Sequence, residues 1–398
     1  MSTTTSSNKE ETKTTWLLTG DIGGTNSRMS LYDARTENEI LVITYRNQDY
    51  LKEKLDGIFE QNIIAPFIKK AFEQQQEKSG NTLSLKNLNI VACLAIAGPV
   101  SNNSVWMSNL HNIIIDGTAI ENQTYNSNND PFLKRIIKCK IINDFVAQGY
   151  GCLTLIEGEY IQLNPKNVSN KDQLPKVNPN GPKVCVGAGT GLGECYLTSS
   201  SSDGSYTCYP SEGGHVEYAP RNDGVELKLW TYLRQKFKSK NRISVERVVS
   251  GPGLANCYEF LTTEYPNKVN QSVLNEFNNA GDLKGKVVAI NASKGKEDGG
   301  LCYDAMNIMM TTYGSEVGST AIKFIPTGGL FVTGGLTPKN IKFIQPNDSP
   351  FLQGYYDKGR VTPILDSVPL FAVLVEDLGI RGAKHNAKMV RIMCCVCV

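Results

Sequence analysis

The stretch Leu17-Leu18-Thr19-Gly20-Asp21-Ile22-Gly23-Gly24-Thr25-Asn26-Ser27-Arg28 decides the fold. An apolar run leads into Asp21, a Gly-Gly turn follows, and a second apolar segment ends near Leu31 and Tyr32. This pattern predicts strand, tight turn, strand. Glycines at 23 and 24 permit positive φ and leave no side chain between backbone and ligand. The N–H groups of such a turn, with the Thr25 hydroxyl, can form an anion-binding concavity. Asp21 ends the first strand, so its carboxylate is expected in the same space, where a divalent cation could link it to a phosphate. An ordinary Gly-rich hairpin with a capping Asp would carry the same letters.

The device recurs. Val184 to Gly193 is an apolar run that ends in Gly187-Ala188-Gly189-Thr190-Gly191-Leu192-Gly193, with strand-like Glu194 to Thr198 behind it. Phe331 to Leu336 ends in Gly334-Gly335. Two hairpin loops far apart suggest a duplicated architecture with one phosphate loop per half. No Gly-x4-Gly-Lys-Ser/Thr occurs, which excludes a Walker loop. A dinucleotide fingerprint needs a helix directly after its glycines, and a strand is expected here. Two facing hairpin loops suit an ATP held in a cleft between two domains.

Composition sets the class. The chain has 398 residues, 40% hydrophobic and 20% charged, ordinary values for a globular enzyme of two or three domains. A net charge of +2 supplies no field for nucleic acid or an anionic membrane. Eleven cysteines without paired metal-ligand spacing point to reduced thiols and a cytoplasmic setting. No long apolar run suggests a membrane span. Residues 1–15, rich in Ser and Thr, are expected to be a disordered tail and not a targeting signal.

Between the loops, helical spacing runs from Asp49 to Glu77, and buried-type strands are expected at Leu88–Ala97 and Cys139–Ile142. Residues 157–183 read as loops. Amphipathic helices are expected over Asp223–Lys238 and Asp298–Ile325, a strand over Pro369–Val375, and a closing helix over Leu378–Met393. Alternation of strands and helices indicates an α/β layered protein.

Three polar clusters are candidates for chemistry. Asn143-Asp144 ends a strand, and an ionised Asp144 can accept the proton of an attacking hydroxyl while Asn143 both donates and accepts. The same pair is also a common turn or helix cap. Glu212-Gly213-Gly214-His215 offers an acceptor and an orientable imidazole on a backbone that a ligand can approach, or is simply a solvated loop. Glu246 precedes the turn Ser250-Gly251-Pro252-Gly253 and could equally pair with Arg247 or solvent.

Taken in order, these stretches resemble the bacterial-type ATP-dependent glucokinases from about residue 16 to about residue 387. The matching motifs are Gly-Asp-Ile-Gly-Gly-Thr-Asn at 20–26, Ile-Asn-Asp-Phe at 142–145, Gly-Ala-Gly-Thr-Gly-Leu-Gly at 187–193 and Glu-Gly-Gly-His at 212–215. Glu-Arg-Val-Val-Ser-Gly-Pro-Gly-Leu at 246–254, Gly-Gly-Leu-Thr-Pro at 334–338 and Asp-Lys-Gly-Arg at 357–360 complete the set.

The resemblance implies an actin-like, ribonuclease H-like α/β fold with the active site in the interdomain cleft. It places a small domain at residues 16–153 plus 374–398 and a large one at 154–373. It implies transfer of the ATP γ-phosphoryl group to the 6-hydroxyl of glucose, with Asp144 as base. Ser108, Asn109, Asn143, Glu212, His215 and Glu246 would bind the sugar. Asp21, Gly23, Gly24, Thr25, Asn26, Gly189, Thr190, Gly191, Gly334 and Gly335 would hold the nucleotide, with Mg²⁺ linked to Asp21 through phosphate and water. A homodimer is expected. Relatives with a zinc-bound histidine carry a Cys-rich loop that is missing here, so His215 is assigned to sugar. A broader hexose or N-acetylhexosamine kinase, or a sugar-binding regulator, are the alternatives on the same scaffold. Longer loops are expected at 157–183 and 262–297.

Overall fold

The computed structural model describes residues 13–53, 55–80, 83–107, 110–125, 129–163, 174–200, 204–222 and 224–396. The chain divides into two compact units, Met1–Thr154 with Asp377–Val398, and Leu155–Glu376.

The first unit is built on a five-stranded sheet in the order β3-β2-β1-β4-β8. Its strands are β1 (Thr14–Ile22), β2 (Asn26–Asp33), β3 (Glu39–Arg46), β4 (Leu88–Ile96) and β8 (Ile136–Asn143). A small sheet of β5 (Val100–Ser101), β6 (Ser104–Met107) and β7 (Ile113–Asp116) is inserted between β4 and β8. Strands β1, β4 and β8 run parallel, while β2 and β3 form antiparallel hairpins. The near-continuous apolar runs of β1 and β4 are buried, as expected of strands covered on both faces. One face packs on the helix Ala65–Lys78 through Phe67, Ile68, Ala71 and Phe72. The helix Leu378–Val396 lies against β1 and β4 and crosses the helix Asp144–Cys152. Glycines allow the close approach: a Cβ on Gly382 would stand 1.7 Å from the Ala147 carbonyl oxygen.

The helix expected across Asp49–Glu77 is broken. A short turn at Asn47–Tyr50 is followed by a π-helical turn at Glu60–Ile64, which runs into Ala65–Lys78. Gly57, at φ 77°, packs on Tyr125 and interrupts the periodic stretch, leaving Leu55 exposed.

The second unit repeats the strand order with one addition, β12-β11-β10-β13-β14-β9. Its strands are β9 (Tyr160–Gln162), β10 (Lys183–Ala188), β11 (Leu192–Ser199), β12 (Tyr206–Ser211), β13 (Gly329–Thr333) and β14 (Leu370–Val373). In both sheets a pair of antiparallel hairpins precedes two further strands parallel to the first. The helix Lys296–Phe324, broken by a kink at Gly300 (φ 48°), supplies much of the core through Ala305, Met306, Met309, Met310, Tyr313 and Val317. Two loop expectations are corrected. Three residues of 157–183 form β9, which pairs with β14. Most of 262–297 is helical, with helices at Gln271–Asn279 and Lys284–Ala292. Asn270 caps the first of these by accepting from the N–H groups of Ser272 and Val273. Among the described residues no helix is long and apolar enough to cross a membrane.

Candidate active site

In the first unit the strand register sets the site. Ile22, Ile96 and Asn143 lie side by side at the carboxyl ends of β1, β4 and β8. Asp21 and Asp144 therefore flank one row, each a residue from it. Asp144 opens the helix Asp144–Cys152, and Asn143 caps that helix by accepting from Phe145 N–H at 2.8 Å and Val146 N–H at 3.3 Å. The Asn143 amide donates to the Gly98 carbonyl at 3.1 Å. The cap thus commits the Asn143 oxygen to backbone and leaves one amide hydrogen available, while Asp144 is half-buried at the helix start.

The β1–β2 hairpin is held by a residue with no sequence signal. Asn47 is fully buried and donates from Nδ2 to the Gly23 carbonyl at 2.8 Å. Its Oδ1 accepts from the Ser27 hydroxyl at 2.7 Å, and its N–H bonds the Thr25 carbonyl at 2.9 Å. Neither Gly23 nor Gly24 adopts positive φ, which corrects the first of the two reasons expected for the glycines. At Gly23 no side chain crowds the turn; the nearest atom to a Cβ would be the Asn26 carbonyl oxygen at 3.7 Å. Thr25 and Asn26 are exposed at the tip. The Asp21 carboxylate sits 3.1 Å from the place of a Cβ on Gly379, in the first turn of the helix Leu378–Val396. Burial raises its pKa, and Arg28 across the strand pair only partly offsets this. Ser108 and Asn109 lie outside the described residues.

In the second unit the turn Gly189-Thr190-Gly191 joins β10 to β11, and a strand follows the glycines, which removes the dinucleotide-fold alternative. Gly189 N–H donates to the Gly191 carbonyl, and the Gly189 carbonyl accepts from Gly251 N–H, both at 2.8 Å. The start of the helix Gly251–Glu264, capped by Ser250, is thus fastened to the loop. Gly334, at φ 78°, would place a Cβ 2.4 Å from the Ala188 carbonyl oxygen, so the Gly334-Gly335 turn lies directly against the end of β10. Tyr313 braces both strands below, donating towards the Val186 and Thr333 carbonyls at 3.3 Å each.

The polar clusters of this unit share one wall. Val216 accepts from Val245 N–H at 2.9 Å and Ile243 from Tyr218 N–H at 2.7 Å, which lays the segment after His215 beside the segment before Glu246. Arg242 donates to the His215 carbonyl at 2.6 Å. Glu246 does not pair with Arg247, whose guanidinium stacks 4.2 Å from the Phe237 ring centre. Its Oε2 accepts from Leu192 N–H at 3.1 Å, at the exit of the glycine loop. Glu212 and His215 are exposed, with His215 Nε2 3.7 Å from Glu212 Oε2. Gly213 and Gly214 between them are buried; a Cβ on Gly214 would stand 1.9 Å from the Leu192 carbonyl oxygen. Among the described residues no group of three or more His, Cys, Asp or Glu is placed to hold a metal ion.

A profile of the glucokinase family matches residues 18–390. The glucokinase of Synechocystis sp. is 33% identical over 375 residues, covering 92% of this chain and 96% of its own. The glucokinase of Balamuthia mandrillaris, solved in complex with glucose, superimposes with a TM-score of 0.69 at 20% identity, over 94% of each chain. A ROK family glucokinase of Streptomyces griseus, solved with glucose and AMPPNP, superimposes with a TM-score of 0.55 at 15% identity, over 94% of this chain and 99% of its own. The fold is the two-domain actin-like one of these sugar kinases, and the chain belongs to the glucokinase family.

Proposed function

We propose that the protein transfers the γ-phosphoryl group of ATP to the 6-hydroxyl of glucose, giving glucose 6-phosphate and ADP. Phosphoryl transfer asks a protein mainly for positioning and charge neutralisation. In this reading Asp144 accepts the proton of the 6-hydroxyl, a contribution of roughly 10²–10⁴-fold. Asn143, through its uncommitted amide hydrogen, binds the sugar with Ser108, Asn109, Glu212, His215 and Glu246. The loops Asp21 to Asn26 and Gly189 to Gly191 hold the phosphates, and Gly334-Gly335 faces the adenosine. Mg²⁺ would enter with the nucleotide and neutralise phosphate charge. Asp21 is the loop's only carboxylate, and such a set fits a cation that keeps its waters and takes its other ligands from phosphate.

The observation that supports this most is the double allegiance of Glu246, bonded to the exit of a phosphate-type loop and lying in the turn Val245–Arg247, whose first residue bonds the Val216 carbonyl next to His215. A carboxylate so placed can align a sugar hydroxyl with the phosphate it receives. The reading extends to a small domain and a large domain corresponding to the two units, to a cytoplasmic location and to a homodimer. A coupled assay of the purified chain with Mg-ATP and glucose, mannose, fructose, N-acetylglucosamine or no sugar tests it. Glucose is expected to give the highest turnover. Equal ADP release without sugar would make the protein a plain ATPase.

A further inference from the structure

Beneath the Glu212–His215 turn lies a carboxylate to which none of the roles above belongs. Glu194, the third residue of β11, is 1% exposed. Its Oε2 accepts from the Tyr196 hydroxyl at 3.0 Å. That hydroxyl lies 3.4 Å from Ser211 Oγ, which accepts the N–H of Gly213 at 3.0 Å. A Cβ on Gly213 would stand 2.1 Å from Glu194 Oε2, so the turn rests on the carboxylate itself. The other oxygen faces the Thr320 hydroxyl at 3.5 Å on the helix Lys296–Phe324.

The charged surroundings are mixed. From the same helix Glu316 disfavours the ionised form of Glu194 and Lys323 favours it. Glu316 is itself buried, with one oxygen lacking a hydrogen-bond partner, and feels Lys323 and Lys358. Burial, reinforced by Glu316, pushes the Glu194 carboxyl up to about 7. A buried acid with partial compensation is costly, and an apolar side chain would fill a strand core at less expense. The geometry instead gives this acid a task at the surface turn above it.

We infer that Glu194 is a positioning residue for sugar recognition, holding Gly213 through Tyr196 and Ser211 and so setting the seat of Glu212 and His215. The inference rests on the proposed assignment of Glu212 and His215 to sugar hydroxyls. Neutral Glu194 offers Gly213 an uncharged floor. Ionised Glu194 is repelled by Glu316 and brings its charge against Gly213, which packs on its Oε2, so the turn above it shifts. Glucose affinity then falls as pH rises through neutrality, while the phosphoryl step does not follow the same profile.

Glucose Kd by calorimetry, with KM and kcat from a coupled assay, over roughly pH 6 to 8.5 tests this on the full chain. Wild type is expected to lose about threefold or more in glucose affinity across that range, and Glu194→Gln to flatten the profile. Tyr196→Phe, which removes only the hydroxyl that links Glu194 to Ser211, is expected to weaken glucose binding about threefold with kcat within about twofold. A Glu194→Gln profile that follows wild type overturns the inference, as does an unchanged Kd in Tyr196→Phe. Wild type that binds no hexose would overturn the sugar assignment and this inference together, which separates the two failures.

Discussion

The N–H of Leu192 donates to Glu246 Oε2 at 3.1 Å, and a Cβ on Gly191 would stand 2.5 Å from the same oxygen. One carboxylate therefore shapes a glycine loop while belonging to the wall that carries His215. A hydrogen bond to a charged group contributes about 1.5–3 kcal/mol, or roughly ten- to a hundredfold in binding. Glu246→Ala is expected to raise KM for both glucose and ATP, the former by about tenfold or more and the latter severalfold. Two-substrate steady-state kinetics check this; a change confined to ATP would remove Glu246 from sugar recognition.

The glycines divide by what a methyl group would meet. At Gly189 a Cβ meets no protein atom within 4 Å, and φ is not positive. Gly189→Ala is expected to keep its thermal stability within about 0.5 kcal/mol and, if the loop holds phosphate as proposed, to raise KM for ATP, because the methyl would occupy that space. Gly214→Ala is expected to do the reverse. Its Cβ would collide with the Leu192 carbonyl, and the loss in stability is expected to exceed about 2 kcal/mol. Paired melting curves and ATP titrations tell the two apart.

Glu60 provides a pH-dependent stability. It is buried in the π-helical turn, neither carboxyl oxygen has a partner in another of the described residues, and burial pushes its pKa from 4.5 up to about 7. The unfolded chain releases this proton near 4.5 and the folded chain holds it to about 7, so the folded state binds more protons between those values. Stability from this group is therefore fully present below the lower value and is lost as pH rises through the upper one. Relative to wild type, Glu60→Gln is expected to gain on the order of 2–3 kcal/mol on going from about pH 4 to about pH 8, measured by urea unfolding. A difference that stays constant with pH would contradict this.

Much of the fold was legible because the sheet hairpins carry glycines directly after apolar runs, as at Gly23-Gly24 and Gly189 to Gly193. Strands β1, β4 and β10, buried on both faces, announce themselves as unbroken apolar stretches. Three kinds of feature were not legible. Asn47 braces the first loop from 24 positions beyond Gly23, and a lone Asn has no periodicity. Strand β9 is three residues long, too short for an alternating pattern, and is fixed only by its pairing with β14. The helix Gln271–Asn279 packs Val273, Leu274 and Phe277 on the core, but it is short and carries Asn275, Asn278 and Asn279, poor helix formers that give the stretch the composition of a loop. At the site, Asn143 shows that the two meanings of an Asn-Asp pair are compatible: the side chain caps the helix and thereby presents Asp144 at its first position.

Asp144 is the residue proposed to take the proton of a sugar hydroxyl as the phosphoryl group arrives. Asp144→Asn keeps the shape of the side chain at a helix start, where loss of the charge costs about 0.3–1 kcal/mol, so the protein is expected to fold. The decisive measurement is glucose 6-phosphate formation by wild type and Asp144→Asn side by side, with glucose affinity read by calorimetry. Wild type is expected to turn over, and the variant to lose roughly 10²–10⁴-fold in kcat with a glucose Kd within about threefold. A variant that keeps most of its turnover, or a wild type that phosphorylates no hexose, would contradict this role.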